Sequence, residues 1–400
     1  MIEFAEARAL VLAAAKALPA ETVPLARALG RTLARDVKAR EAVPPFAKAT
    51  MDGYAVRAAD TLAAPAAALA VVDDLPAGRL SRRALGPGQA ARIMTGAPLP
   101  RGADAVVMAE DAERSEGGVL VRRAVRPGDN IGLAGEDLKR GETAVDRGAV
   151  IGPAEIGMLA AANLRRVPVV RRPRVAVIAT GDEVVEAGGR KRRGQIRNAN
   201  GPALTAMAVR AGAEARYLGI ARDRPAALAA KLARARGYDA VVLSGGVSVG
   251  DHDLVKEELP AAGVEPVFWR VRIKPGKPVF FGRRGRQLVF GLPGNPASAL
   301  VTFLLFVEPA LAAMLGRPGP APATVTAVLA EDITVKDDRT QFLRGVVVEP
   351  GPVLRVAPYG DQRSGVLRSM VRSRVLIVVP GGARRVEAGR EVETIFLDGR

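Results

Sequence analysis

The chain has 400 residues, a formal net charge of +17 and an apolar content of 48%, which indicates a globular protein of about two to four domains. It contains no cysteine and one histidine, His252, which excludes disulfides, iron–sulfur clusters, cysteine nucleophiles and multi-histidine metal sites. Acid–base and metal chemistry must therefore come from aspartate, glutamate, lysine and tyrosine.

The N-terminal part is predicted to begin with a helix and to continue as short strands. Apolar residues recur at helical spacing over residues 3–18 and stop before Pro19. A second helix is predicted over Pro153–Asn163. Between these helices, from about residue 45 to residue 140, glycine and proline separate β-rich runs, namely Ala67–Val72, Gln89–Met94, Ala105–Met108 and Val119–Val121.

Strands and helices alternate in the middle of the chain. This alternation predicts a mostly parallel, three-layer α/β domain with helices on both faces, and ligands of such sheets bind at the carboxyl ends of the strands. The predicted strands are Val175–Ala179, Ala215–Ile220, Ala240–Leu243, Val264–Val271, Val279–Phe281 and Leu288–Phe290. The predicted helices are Pro202–Ala211, Pro225–Arg236, Leu254–Ala261 and one that begins at Ala297.

A stiff linker, Arg317–Pro322, precedes a C-terminal part with four predicted strands, namely Val325–Leu329, Phe342–Val348, Val353–Ala357 and Val375–Val379. These patterns predict four domains. They are a mixed α/β domain of residues 1–45 with 140–170, an inserted β-rich domain of residues 46–139, an α/β domain of residues 171–317, and a small all-β domain of residues 318–400.

We expect a soluble, cytoplasmic protein. The first residues, Met1–Phe4, lack the basic and apolar regions of a signal peptide. The most apolar helix candidate, Ala297–Leu315, contains polar residues, and only Ala299–Val307 is nearly uninterrupted. Such a stretch is too short to cross a bilayer.

Glycine-rich loops in the middle of the chain predict an anion site. Ser244–Gly246 and Ser248–Gly250 follow a short apolar strand, and Pro293–Pro296 opens the long helix. Small residues let backbone N–H groups approach an anion closely. Charged residues that suit a phosphorylated, metal-assisted substrate flank these loops, namely Lys274, Lys277, Asp251 and Asp253.

The basic excess leaves nucleic acid, an acidic membrane face and a small polyanion open as partners. Aromatic residues make up only 4% of the chain, and the sequence shows no helix-turn-helix, RNA-binding aromatic signature or zinc finger. These features argue against nucleic acid. The densest run of cations, Arg190–Arg193 with Arg197 close by, fits a solvated loop as well as a phosphate contact.

Short motifs occur in a fixed order along nearly the whole chain. They are Pro45-Phe46 followed by Met51–Ala55, then Arg92–Pro100, Gly102–Val107, Gly135–Asp137, Thr180–Val184, Ser244–Gly250, Ile273–Pro278 and Leu292–Pro296. Each motif is weak alone, but the ordered set resembles the MoeA-type molybdopterin molybdenumtransferases, a family also seen in the C-terminal part of gephyrin.

The resemblance implies a multidomain α/β plus β protein in which residues 171–317 are similar to a molybdopterin-binding domain. It implies Mg²⁺-dependent insertion of molybdate into adenylylated molybdopterin with release of AMP, the final step of molybdenum cofactor biosynthesis. It also implies a homodimer in which the middle domain of one subunit and the outer domains of the other share each active site. The molybdopterin adenylyltransferase is a candidate partner, whereas nucleic acid and a membrane are not expected.

The resemblance also implies roles for individual residues. The implied catalytic carboxylates are Asp52, Asp137, Glu183, Asp223 and Asp253. Among these, the implied Mg²⁺ ligands are Asp52, Glu183 and Asp253. The implied substrate-binding residues are Thr95, Ser244, Gly245, Gly246, Ser248, Arg270, Lys274, Lys277, Pro293, Asn295, Pro296, Arg344 and Ser369.

Several positions depart from the family pattern. Ala49 stands where serine is usual and Asn198 where aspartate is usual, while Arg368 and Arg374 replace a common serine and a common asparagine. These changes leave the preference between molybdate and tungstate open.

Two other functions remain open. The preceding adenylyltransferase step would use a similar middle domain, but the Met51–Tyr54 motif and the four-domain plan argue against it. A non-catalytic pterin-binding or scaffolding protein would keep the fold alone. The presence of Asp52, Asp223, Asp253 and Lys274 argues against that second alternative.

Overall fold

The computed structural model describes residues 1–65, 67–246, 254–317, 322–348 and 353–397. Its N-terminal part contains α1 (Phe4–Ala14), β1 (Ala20–Pro24), β2 (Val37–Lys38), β3 (Lys48–Ala49), β4 (Gly53–Val56), β5 (Ala67–Leu75), β6 (Gln89–Ile93), β7 (Ala105–Met108), β8 (Ala112–Ser115), β9 (Gly118–Val121), β10 (Ile131–Gly132), β11 (Thr143–Val145), α2 (Pro153–Ala161) and β12 (Arg166–Val170). Strand β1 pairs with β12 and β2 pairs with β11, so the two ends of this part lie together.

The β-rich segment forms a six-stranded sheet in the order β7-β4-β6-β5-β9-β8. Tyr54 and Val56 of β4 pack on one face of the sheet, and Ala55 packs on the other. Both faces of β4 are buried. A shift of one residue would move Tyr54 and Val56 to the face that Ala55 occupies, so the packing fixes the register. Asp52 is thereby placed at the start of a rigid strand.

The middle part contains β13 (Arg174–Thr180), β14 (Val184–Val185), β15 (Ile196–Arg197), α3 (Asn200–Arg210), β16 (Glu214–Ala221), α4 (Pro225–Arg234), β17 (Ala240–Ser244), α5 (Leu254–Ala261), β18 (Glu265–Trp269), β19 (Ile273–Lys274), β20 (Phe280–Arg284), β21 (Gln287–Leu292), α6 (Pro296–Thr302) and α7 (Glu308–Met314). Six of these strands form one sheet in the order β16-β13-β17-β21-β20-β18. The first four are parallel, and the last two are antiparallel to their neighbours. The expected mostly parallel sheet is confirmed.

Helices cover both faces of this sheet. Val175 and Val177 of β13 pack with residues of α1, α3, α6 and α7, whereas Ala176 and Ile178 pack with residues of α4 and α5. A parallel strand that is covered on both faces reads as a continuous apolar run, as the sequence of β13 does. The three-layer prediction is therefore confirmed, with the unexpected addition of α1 to one layer.

A π-helical turn, Phe303–Val307, joins α6 and α7 into one continuous helix. Among the described residues, this helix, Pro296–Met314, is the one that is long and apolar enough to cross a membrane by length and composition. The sequence predicted nearly the same helix, Ala297–Leu315, but the expectation that its apolar stretch is too short to cross a bilayer was wrong by length and composition. However, 78% of its most apolar stretch is buried inside the protein, as expected of a core helix.

The C-terminal part contains β22 (Thr324–Leu329), β23 (Ile333–Thr334), β24 (Thr340–Val347), β25 (Arg355–Pro358), α8 (Leu367–Arg372), β26 (Val375–Val379), β27 (Arg385–Val386) and β28 (Glu391–Phe396). The pairings β24–β25–β22–β28–β26–β24 close into a ring, which confirms the small β unit. Strand β19 of the middle part adds to this ring beside β24. The ring is therefore joined to the middle part by strand pairing.

Two local predictions differ from the structure. The opening helix ends at Ala14, because Ala15 is extended and β1 follows soon after. Strand β1 itself was not predicted, since most of its residues are exposed and it shows no apolar alternation.

Candidate functional site

A cavity of about 490 Å³, the first cavity, opens at the carboxyl ends of β13, β17 and β21. This is the edge of a parallel sheet where ligands are expected. The structure brings together here a subset of the residues predicted for the site, namely Glu183, Asp223, Ser244, Gly245, Gly246, Pro293, Asn295 and Pro296.

The first cavity requires glycine at its closest backbone approaches. Gly245 has a φ of +94°, and a Cβ there would lie 2.7 Å from Thr180 Oγ1 and 3.0 Å from Thr180 O. Gly181 has a φ of +131°, and a Cβ there would lie 2.5 Å from Glu183 Oε2. Both conformations are strained for any residue with a side chain. The glycines therefore leave the loop backbone open to a ligand.

Two exposed carboxylates, Glu183 and Asp223, line the first cavity. Asp182 N donates to Asp223 Oδ2 over 3.0 Å, and Asp223 N donates to Asp182 Oδ1 over 3.3 Å. The Arg222 guanidinium donates to the carbonyls of Asp182 and Val184, which fixes the loop that carries them. The Asp223 carboxylate is thus held at the cavity by the backbone of the neighbouring loop, which also carries Glu183.

Asn200, the first residue of α3, joins the two glycine-rich loops. Its Nδ2 donates to Ser244 Oγ and to Gly294 O, both over 2.8 Å. A carbonyl only accepts, so the contact with Gly294 fixes which amide atom faces it. Sequence reasoning missed this brace. The signal that could have found it is an asparagine at a helix start beside a parallel strand that ends in glycines.

Asn198 belongs to a polar cluster behind the first cavity. Tyr217 Oη donates to Glu186 Oε1 over 2.6 Å, and Asn198 Nδ2 donates to Tyr217 Oη over 2.6 Å and to Glu186 Oε2 over 3.2 Å. Burial, and then the Glu186 carboxylate, raise the pKa of Tyr217. An aspartate at position 198 would face this carboxylate with a second negative charge. The departure at Asn198 therefore has a local electrostatic reason.

A larger cavity of about 780 Å³, the second cavity, adjoins the first and shares lining residues with it, namely Pro278, Pro293 and Asn295. Lys274 and Lys277 both line the second cavity, as does Arg339, whose guanidinium is paired with Asp337. Lys274 Nζ lies 4.0 Å from Asp337 Oδ2, and its side chain is 49% exposed. Both lysines are therefore available to an anion.

The segment that carries the two lysines is held from several sides. Arg272 pairs with Glu3 over 2.8 Å and with Asp338 over 2.7 Å, and Ile273 pairs with Thr340 in the C-terminal ring. These contacts come from the N-terminal and C-terminal parts of the chain. Lys274 is therefore placed by three parts of the protein at once.

The structure buries Arg344 and Ser369 together. Arg344 is 1% exposed and Ser369 is 0% exposed, and Arg344 Nε donates to Ser369 Oγ over 3.1 Å. Arg344 Nη2 also donates to the carbonyls of Asp361 and Arg363, on the loop that lines the second cavity. Burial lowers the pKa of Arg344. This pair supports the cavity wall from behind.

Asp52 and Thr95 lie elsewhere, in the N-terminal part. Thr95 N and Thr95 Oγ1 both donate to Asp52 Oδ1 over 2.7 Å, and these two bonds lower the pKa of Asp52. Asp52 lines a separate cavity of about 300 Å³ with Arg92 and Arg114. Within the described ranges, that cavity has no lining residue in common with the first or the second.

The remaining predicted residues are not brought to these cavities. Asp137 is exposed in a loop whose backbone is bonded to Val43, and Arg270 is partly exposed between β18 and β19 with a φ of 72°. Ser248 and Asp253 lie outside the described residues.

Family models match three parts of the chain. The MoeA N-terminal region (domain I and II) matches residues 2–163, a probable molybdopterin binding domain matches residues 176–313, and the MoeA C-terminal region (domain IV) matches residues 326–397.

Individual proteins match over almost the full length. Curated relatives named molybdopterin molybdenumtransferase include one from Staphylococcus aureus (strain N315), 35% identical over 95% of this chain and 92% of the relative. Another, from Bacillus subtilis (strain 168), is 36% identical over 94% of this chain and 90% of the relative. A crystal structure of a molybdopterin biosynthesis moeA protein from Pyrococcus horikoshii OT3 superposes with a TM-score of 0.85 and 31% identity, covering 99% of this chain and 100% of that one.

Proposed function

This chain belongs to the MoeA family, and from that premise we propose that it is a molybdopterin molybdenumtransferase that acts late in molybdenum cofactor biosynthesis. In detail, we propose that it inserts molybdate into adenylylated molybdopterin in a reaction that needs Mg²⁺ and releases AMP. The relatives that carry the transferase name align with more than nine tenths of this chain, which supports the general activity.

The observation that carries the detailed proposal is the contact between the first and second cavities. The first offers glycine-rich backbone and two carboxylates, which suit a phosphate chain and a hard cation. The second offers Lys274 and Lys277, which suit an oxyanion such as molybdate. Because the cavities share Asn295 and two prolines, one ligand in each would lie side by side.

Mg²⁺ fits the donors of the first cavity. Mg²⁺ is usually held by one or two carboxylates together with substrate phosphate oxygens and water, and not by a complete protein cage. Glu183 and Asp223 would supply the carboxylates; within the described ranges, no three acidic or histidine side chains form a metal cluster of their own. When bound, the ion would neutralise charge that develops on the phosphate. Asp253 was the other ligand predicted in this part of the chain.

The residues around the two cavities have separable tasks in this proposal. The backbone N–H groups of the loop that contains Gly245 and Gly246 bind the phosphates, while the two lysines bind and orient the oxyanion. Asn200 keeps the glycine-rich loops at a fixed separation, so that the phosphate site does not widen when a ligand enters.

We also propose that the active site is completed in a homodimer. Asp52 was predicted to act at the same centre as Glu183, yet it lines a cavity that has no residue in common with theirs. A second copy of the chain could bring its Asp52 cavity against the first cavity. Analytical ultracentrifugation should then give a dimer, and mixing Asp52→Ala chains with Glu183→Gln chains should restore part of the activity. A monomer with full activity would contradict the shared site.

The test of the function is a turnover assay with purified protein, adenylylated molybdopterin, molybdate and Mg²⁺. AMP release that needs both molybdate and Mg²⁺ is the expected result, and Glu183→Gln should reduce it strongly. Adenylylation of molybdopterin by ATP would indicate the adenylyltransferase alternative. Tight binding of the pterin with neither reaction would indicate a scaffolding protein.

A further inference from the structure

The run of cations at Arg190–Arg193 lies beside the first cavity. It is part of the loop between β14 and β15, and the residues at the end of that loop, Ile196 and Arg197, line the first cavity. All four cations of the run are exposed. We call residues 189–197 the basic loop. The run is therefore joined directly to the lining of the first cavity, although its own four residues do not form that lining.

The charge of the run is not neutralised by the protein. In the part of the chain that the structure describes, Arg190, Lys191, Arg192 and Arg193 make no ion pair and no side-chain hydrogen bond. The carboxylate of Glu186, which precedes the loop, is engaged by Tyr217 and Asn198 as described above. Four positive charges are thus available to a ligand.

The basic loop also has a defined course. Arg197 Nη1 donates to Glu186 O over 2.8 Å and to Gly189 O over 2.5 Å, which closes the base of the loop. Within the loop, Arg192 N donates to Gln195 Oε1 over 3.0 Å, and Gln195 N donates to Arg192 O over 3.2 Å. These bonds fix the course of the loop that joins the run of cations to the cavity lining.

The first cavity needs such a source of positive charge. Among the described residues, its charged lining consists of the carboxylates Glu183 and Asp223 and one cation, Arg197. A ligand with phosphate groups would therefore meet net negative charge at the bottom of the cavity. Cations at the rim offset that repulsion during approach, when no ion pair has yet formed.

We propose that the basic loop is an electrostatic entry rim that attracts a phosphate-bearing ligand into the first cavity. The identity of that ligand as adenylylated molybdopterin rests on the function proposed above. Because the rim acts during capture, removal of its charge changes the affinity, KM and salt dependence and leaves kcat unchanged.

The test compares two variants that each remove four positive charges. The rim variant is Arg190→Gln, Lys191→Gln, Arg192→Gln and Arg193→Gln. The control variant is Arg234→Gln, Arg236→Gln, Arg283→Gln and Arg286→Gln. The four control residues are exposed in the same α/β unit, at the end of α4 and around the β20–β21 turn. These positions lie at the amino ends of β17 and β21, opposite the first cavity.

The probes are AMP and adenosine, which differ by the phosphate, and binding is measured by calorimetry at low and high salt. We expect the rim variant to bind AMP about 10-fold more weakly than the unsubstituted protein at about 20 mM salt, and nearly equally at about 500 mM salt. Adenosine binding should not change, and the control variant should bind AMP like the unsubstituted protein.

Three results would overturn the proposal: equal losses in the rim and control variants, no loss in the rim variant, or no binding of AMP to the unsubstituted protein. Kinetics separate this proposal from the proposed function. If AMP binding depends on the rim but no molybdate-dependent turnover occurs, the transferase assignment fails and the entry rim stands. If turnover occurs and kcat falls in the rim variant while KM does not change, the entry rim fails and the transferase assignment stands.

Discussion

Thr95 holds the carboxylate of Asp52 in place. Both hydrogen-bond donors of Thr95, the backbone N–H and the hydroxyl, point at one of its oxygens and lower the pKa of a group that is already ionised at neutral pH. The other oxygen has no such partner among the described contacts. An ionised group with one free oxygen is suited to act on a ligand in a neighbouring copy of the chain.

Replacement of Asp52 by alanine should therefore lower AMP release by a factor of at least about 10², the scale of a positioned catalytic group. Thermal stability should change little, because Asp52 is exposed. Glu116→Ala is the control, since it removes an exposed carboxylate from the turn between β8 and β9 of the same sheet, and it should leave activity unchanged. Turnover close to that of the unsubstituted protein in Asp52→Ala would contradict the assignment. We expect a similar loss in Asp253→Ala, a residue that lies outside the described ranges.

Lys274 should serve binding and not stability. Its side chain is half exposed, and its distance of 4.0 Å from Asp337 makes a weak ion pair at most. We expect Lys274→Gln to weaken binding of adenylylated molybdopterin with molybdate, while the melting temperature stays within about 1 °C. Lys336→Gln, an exposed lysine on the C-terminal unit, is the control. A large fall in melting temperature with unchanged affinity would make Lys274 a structural residue.

At the scale of elements, the lysine segment packs against the long helix at one glycine. Gly276 has a φ of +107°, and a Cβ there would lie 2.3 Å from Thr302 Cγ2 in α6. Gly285 also has a positive φ, +59°, but a Cβ there would meet nothing within 4 Å. Alanine would strain the backbone at both positions, more at +107° than at +59°, but only at Gly276 would it also clash with a neighbour.

Gly276→Ala should lower the free energy of unfolding by about 2–4 kcal/mol, and Gly285→Ala by about 1 kcal/mol. Denaturant titration measures both. Adding Thr302→Ser to Gly276→Ala removes the clashing methyl group and keeps the hydroxyl that donates to Ser298, so it should restore part of the loss. No restoration would show that strain, and not the helix contact, governs this position.

Sequence patterns predicted the bounds of several helices and strands correctly. The ranges Ala105–Met108, Leu254–Ala261 and Val375–Val379 were predicted with the bounds they have in the structure. Strand β28 was missed although its exposed glutamates alternate with the buried Val392 and Thr394, which is the pattern of a half-buried strand. The pairing of β19 with β24 was also missed, because it joins residues far apart in sequence through only two positions.

The candidate site was predictable only as far as its motifs. Motifs located Glu183, the glycine-rich loops and the lysines, which the structure gathers at two adjoining cavities. They gave no sign that Arg344 is sequestered, because burial of an arginine depends on carbonyls supplied by a distant loop. The four-domain division and the individual residue roles stay predictions.

At the scale of the whole molecule, an ion pair links the N-terminal and middle parts. Arg171, just after β12, makes two hydrogen bonds of 2.8 Å to Asp239, just before β17. Burial raises the pKa of Asp239, but the bonds from Arg171 and Arg174 outweigh it and leave the pKa below the ordinary value. The stabilisation is therefore fully present above that ordinary value and is lost as the pH falls through the lower folded-state value.

Asp239→Asn should lower the free energy of unfolding at pH 7 by about 1–3 kcal/mol, the scale of hydrogen bonds to a charged group. The difference between the two proteins should shrink as the pH falls below 3.8, the ordinary pKa of the group. Denaturant titrations across this range measure it, with Asp146→Asn as the control, because Asp146 is exposed and its side chain has no hydrogen bond or ion pair among the described residues. A difference that grows in acid would reverse the sign of the proposed linkage.

The net charge of +17 should serve small anions and not nucleic acid. The chain has few aromatic residues for base stacking. Its densest cationic run is joined to the lining of a cavity that is too small to hold a nucleic-acid duplex. Anisotropy measurements at about 150 mM salt should show DNA or RNA binding no tighter than roughly 10⁻⁵ M and without sequence preference. Submicromolar, sequence-selective binding would reopen the functional assignment.

The pairing of β19 with the C-terminal ring means that this protein is not a set of exchangeable modules. A polypeptide cut in the linker after Arg317 would leave the middle fragment with the Ile273–Lys274 backbone unpaired and the ring fragment with an open edge at Thr340. Each fragment would then expose a strand whose pairing partner lies in the other fragment. The two halves, produced separately, should reassociate, and a C-terminal unit grafted from a distant relative should be accepted only if it preserves the backbone course of β24.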